Sequence, residues 1–65
     1  MNFHYSRHAK RRMRLYRISK FTVESLLEGV QGIGKQEIIK KIHRYKYPIK
    51  VVFEIKNDFI MIITV

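Results

Sequence analysis

Two side chains near the amino terminus have the chemistry and spacing to act on a phosphodiester. His8 and Arg12 stand four residues apart, one helical turn, so a helix would project both from one side. An imidazole titrates near neutral pH and can take or give a proton. A guanidinium can hold a phosphate through two parallel N–H groups. RNA cleavage without metal needs a base for the 2′-hydroxyl, cations for the pentacovalent phosphorane and an acid for the leaving 5′-oxygen. His8 and Arg12 are the candidate catalytic pair for that reaction. Each also has an ordinary structural reading: His8 bonded to a strand backbone, and Arg12 paired with a carboxylate such as Glu54. Arg44, Tyr45 and Lys46 form a second basic-aromatic cluster, where a base could stack on Tyr45 while the cations follow the backbone. Tyr45 could equally be a packing residue.

Other chemistries are disfavoured. His4 and His8 would make an i, i+4 ligand pair if both were helical, but the only further imidazole is His43 and no acid lies near in sequence. A dense basic field also repels a dication, so neither a metal nor any other cofactor is expected. Gly29, Gly32 and Gly34 invite comparison with a phosphate-cradling loop. The segment ends Gly34-Lys35-Gln36, lacks the Lys-Ser/Thr of a P-loop and follows a helix instead of a strand. These are turn glycines.

Charge points to the partner. The 65 residues carry 14 Lys and Arg against five acids, a net charge of +9. Residues 1–20 hold seven basic residues and no acid, so the first third supplies +7 of the total. Such a field suits a polyanion. Arg7, Arg11 and Arg14 would face solvent or a phosphate backbone. A membrane is a poorer partner, because an interfacial helix needs a strong Trp, Phe or Leu face and this one offers Ala9, Met13 and Tyr16. No apolar run approaches the ~20 residues of a membrane span, and the start lacks the apolar core of a secretory signal. The absence of cysteine excludes disulfides and permits a reducing compartment, so a cytoplasmic setting is expected.

The elements that must position these groups can be read from periodicity. Residues 6–17 form a helix with Ala9, Met13 and Tyr16 on its core stripe. Ser19 caps a second helix, in which Val23, Leu26, Leu27 and Val30 recur at i, i+3, i+4, i+7 and Gly29 terminates. Residues 36–47 are ambiguous between helix and strand. Ile49, Val51, Phe53 and Ile55 alternate with more polar residues as a half-buried strand. Asn57-Asp58 makes a tight turn, and residues 59–65 read as a strand that is central or covered on both faces. That turn predicts the pairs Ile55–Ile60, Phe53–Ile62 and Val51–Thr64. The second sheet face, with Phe59, Met61 and Ile63, is left for a partner or a second copy.

The run His8-Ala9-x-x-Arg12-Met13 and the ending Ile62-Ile63-Thr64-Val65 resemble a family of small uncharacterised bacterial and archaeal domains. That family is usually grouped with the RelE/ParE-like toxins. One departure stands out: Tyr16 and Arg17 occupy positions where the family commonly has Arg and Gly. The resemblance implies that residues 36–47 are largely strand. It also implies an α+β fold of two amino-terminal helices on a three-stranded antiparallel sheet; the short chain, with no linker, makes this a single domain, residues 1–65. A toxin-like protein directed at RNA follows, expected to be a metal-independent endoribonuclease that inhibits translation, acting on RNA that could be ribosome-bound. The alternative is a non-catalytic nucleic-acid- or protein-binding module of the same fold. An antitoxin or a homodimer partner would cover the second sheet face.

Overall fold

The computed structural model describes residues 2–65. Ser6 fixes where the first helix begins. Its hydroxyl oxygen accepts a 2.9 Å bond from the Ala9 amide and donates at 2.7 Å to the Ile63 carbonyl. One side chain therefore caps the helix and ties it to the last strand. The elements follow as β1 (Asn2–Tyr5), α1 (Arg7–Tyr16), α2 (Lys20–Leu26), β2 (Gly34–Lys40), β3 (Ile49–Ile55) and β4 (Phe59–Thr64). Ser19 caps α2 through the Thr22 amide at 3.1 Å. Gly29, with φ +84°, turns the chain away after the helix.

The sheet corrects the expected architecture. It has four strands in the order β1-β4-β3-β2 and is mixed, because β1 runs parallel to β4 while the other pairs are antiparallel. The expectation of three antiparallel strands fails, although the fold remains α+β. The reason lies in β4. A strand apolar on both faces would leave a row of unpaired backbone groups if it formed the sheet edge. β1 covers that edge, with Phe3 opposite Ile60 and Tyr5 opposite Ile62, so β4 sits inside the sheet as its apolar run requires. Four residues with two apolar positions are too short a signal to stand out in the sequence. Because His4 lies on β1, it does not share a helix with His8; it stacks instead on Phe59, ring centroids 4.4 Å apart.

Two further expectations shift. Strand β2 stops at Lys40, and residues 41–48 form a loop. The Lys41 ammonium donates to the carbonyls of Tyr45 and Lys46 at 3.0 and 2.8 Å, and the Tyr45 amide bonds back to the Ile42 carbonyl at 3.0 Å. Pro48 has no amide to offer a ladder. In the β3–β4 hairpin, Ile55–Ile60 and Phe53–Ile62 pair as expected, but a register shift between Val52 and Phe53 sets Val52 against Thr64 in place of Val51.

The core lies between the helices and one sheet face. Ala9, Met13, Ile18, Val23 and Leu27 meet Ile49, Val51, Phe53, Ile55, Ile60 and Ile62. Tyr16 was expected in this set and is instead 48% exposed. The helix ends at Tyr16, Arg17 takes the left-handed conformation (φ 58°, ψ 43°), and the Ile18 amide returns to the Met13 carbonyl at 2.8 Å. That reversal, with its paired bond from the Arg17 amide to the Arg14 carbonyl, is the Schellman arrangement. It places Ile18 in the core and releases Tyr16. On the opposite sheet face Val52, Glu54, Phe59, Met61 and Ile63 are half-buried, and two ion pairs, Lys50–Glu37 and Lys56–Glu54, lie there at 3.5 Å each.

Candidate nucleic-acid interface

The reversal after α1 creates a cleft. One wall is the carboxyl-terminal half of α1 with Arg12 and Tyr16; the other is the loop carrying Tyr45, Lys46, Tyr47 and Pro48, which runs into Ile49 and Lys50 of β3. Ile18 and Val65 complete the lining, and the cleft, half open to solvent, has a volume of about 420 Å³. No acidic side chain lines it. The loop wall is held by its own bonds. The Tyr45 hydroxyl donates to the Arg17 carbonyl at 2.9 Å, and the Arg44 guanidinium reaches the Thr22 hydroxyl at 3.4 Å while lying 5.4 Å from the Tyr45 ring centroid.

Arg12 is the most informative group in the cleft. Its Cζ sits 5.2 Å from the Tyr16 ring centroid, and its Nε is buried with no hydrogen-bond partner among the described residues. A buried donor left unpaired costs about 1–3 kcal/mol. The anticipated pairing of Arg12 with Glu54 does not occur, since Glu54 belongs to the opposite sheet face and pairs with Lys56. The Lys46 ammonium lies 5.5 Å from the Tyr47 ring centroid. Lys50 lines the cleft but directs its ammonium to Glu37. Tyr47 is 70% exposed, an unusual state for a large aromatic ring.

Of the residues singled out from sequence, the structure brings Arg12, Tyr45 and Lys46 into one site. His8 is exposed on α1, outside the cleft lining, with no hydrogen bond among the described residues, so the strand-backbone bond considered for it is absent too. Arg7, Arg11 and Arg14 are exposed on α1 as anticipated. Arg44 supports the loop wall. Among the described residues both ion pairs lie on the far sheet face, so the α1 arginines face no compensating acid. Arg14 also joins Lys10, Met13, Ile18 and Lys20 in a second, shallower depression. Ile18 lines both depressions, which meet at the α1–α2 corner. Sequence reasoning missed Tyr16, Tyr47 and Lys50. The run Tyr45-Lys46-Tyr47 could have flagged Tyr47; nothing in the sequence placed Tyr16 opposite it.

Among the described residues no group of His, Cys, Asp or Glu is arranged to hold a metal ion, and no helix is long and apolar enough to cross a membrane. Neither the curated proteins nor the solved structures contain a match to this chain. Residues 5–65 match the family model described as a domain of unknown function, DUF4258, and the chain belongs to that family.

Proposed function

We propose that this domain binds single-stranded RNA as a non-catalytic module, along a path from the tyrosine-lined cleft across Ile18 to Lys10, Arg14 and Lys20. The observation that carries this reading is the cleft lining: Arg12 and Lys46 beside Tyr16, Tyr45 and Tyr47, with no acidic side chain. Cations that follow phosphates, interleaved with aromatic rings that accept bases, are what binding an unpaired strand requires. The uncompensated arginines of α1 supply the long-range attraction. RNA is preferred over DNA because the family that the His8–Met13 helix and the closing strand resemble is usually grouped with the RelE/ParE-like toxins. Cleavage draws less support, since His8 stands outside the cleft that holds Arg12.

The test is fluorescence anisotropy with a labelled single-stranded RNA, its duplex and the equivalent DNA across a salt series, with chelator present. Integrity of the RNA is followed on a gel beside His8→Ala. Intact RNA bound more tightly than duplex, with affinity falling steeply as salt rises, is the expected result. Equal binding of duplex, or no binding at low salt, overturns the proposal. Discrete cuts lost in His8→Ala would make the domain a metal-independent ribonuclease instead.

A further inference from the structure

We infer that the cleft is a subsite for a single nucleotide, with the base stacked on Tyr47 and the phosphate held by Arg12 and Lys46. This deepens the RNA-binding reading and rests on it. Size is the first argument. A volume of about 420 Å³ lies at the small end of the range for ligand pockets, roughly 300–1,000 Å³. A bare phosphate would leave most of it empty. Composition is the second. Ile18, Pro48 and Ile49 give the lining an apolar part that a phosphate alone would not use but the faces of a base would.

The polar groups are placed at the other end of the requirement. Arg12 carries no ion pair among the described residues, so its guanidinium is available to an oxyanion. Lys50 is committed to Glu37, which leaves Lys46 as the second cation. Lys46 itself lies against Tyr47. A base on the exposed ring therefore brings its own phosphate within the reach of that ammonium. Tyr45 is not the platform, because it is half-buried and its hydroxyl is held by the Arg17 carbonyl, whereas the Tyr47 ring is mostly exposed.

The experiment is a nuclear magnetic resonance titration of the full chain with AMP, UMP, ribose 5-phosphate and inorganic phosphate. It is paired with anisotropy of an eight-nucleotide RNA on wild type, Tyr47→Ala, Tyr47→Phe and Arg12→Gln. Tyr47 is mostly exposed and makes no hydrogen bond among the described residues, so its truncation leaves the fold intact, as circular dichroism will verify. The nucleotides should shift the amides of Lys46, Tyr47 and Ile49 and bind more tightly than ribose 5-phosphate or phosphate. Tyr47→Ala should weaken the RNA about 10-fold, the scale of one lost base stack, while Tyr47→Phe retains wild-type affinity. Arg12→Gln should weaken nucleotide, ribose 5-phosphate and phosphate alike. Ribose 5-phosphate binding as well as AMP, or Tyr47→Ala binding RNA like wild type, overturns the subsite. If the RNA then still binds in a salt-dependent way, the subsite alone falls. If no RNA binds, both readings fall together.

Discussion

Arg17 offers the cleanest quantitative test of how this fold is held. It is the only non-glycine residue at positive φ among the described residues, at 58°, 43°. A side chain in that conformation costs roughly 1–2 kcal/mol, because Cβ crowds the following carbonyl. Glycine removes the clash but adds freedom to the unfolded chain, which returns about 0.4–1 kcal/mol. The net gain for Arg17→Gly should be about 0.5–1 kcal/mol. The Arg17 side chain makes no hydrogen bond or ion pair among the described residues; its contributions run through the backbone, which accepts from Tyr45 and donates to Arg14. Both bonds survive substitution. Arg17→Ala is the proper reference, since it loses the same charge and keeps the Cβ. In a domain of this size each kcal/mol moves Tm by about 4–8 °C, so the glycine variant should melt about 2–8 °C above the alanine variant. Thermal and urea melts followed at 222 nm measure this. A glycine variant no more stable than alanine would refute the argument, and the left-handed reversal that opens the cleft would need another explanation.

Tyr5→Phe removes a 2.6 Å bond from the Tyr5 hydroxyl to Glu24, which ties β1 to α2, and should cost about 1–2 kcal/mol in a urea melt. Burial, and then the Glu24 bond, push the Tyr5 hydroxyl well above its ordinary pKa near 10. The neutral form is favoured in the fold, so this contribution is complete below pH 10 and declines as pH rises beyond it; the phenylalanine variant should lose less stability there. Deleting residues 1–5 uncovers the edge of β4 and should produce concentration-dependent association by light scattering, where a stable monomer would contradict the role given to β1. Converting Arg7, Arg11 and Arg14 together to Gln should reduce the slope of log affinity for single-stranded RNA against log salt by about 2, and an unchanged slope would remove α1 from the interface.

Local chemistry determined a good part of this protein. The caps at Ser6 and Ser19, the turn at Gly29, the β3–β4 hairpin and the interior position of β4 follow from residue types and periods that act within a few positions. The charge imbalance and the basic face of α1 are likewise properties of the chain as written. What the tertiary structure decided are pairings between distant segments. Strand β1 exists because β4, more than fifty residues later, needs its edge covered, and a four-residue segment cannot announce that by itself. The loop after β2 is set by Lys41 bonding to carbonyls ahead of it and by Tyr45 reaching Arg17, contacts to which strand propensity is blind. The site divided the same way. Arg12, Tyr45 and Lys46 were visible as the right kinds of residue, but their meeting with Tyr16 and Tyr47 depended on where α1 stops. A left-handed turn at Arg17 folds Ile18 inward, and that single reversal of the backbone decides which side chains share the cleft.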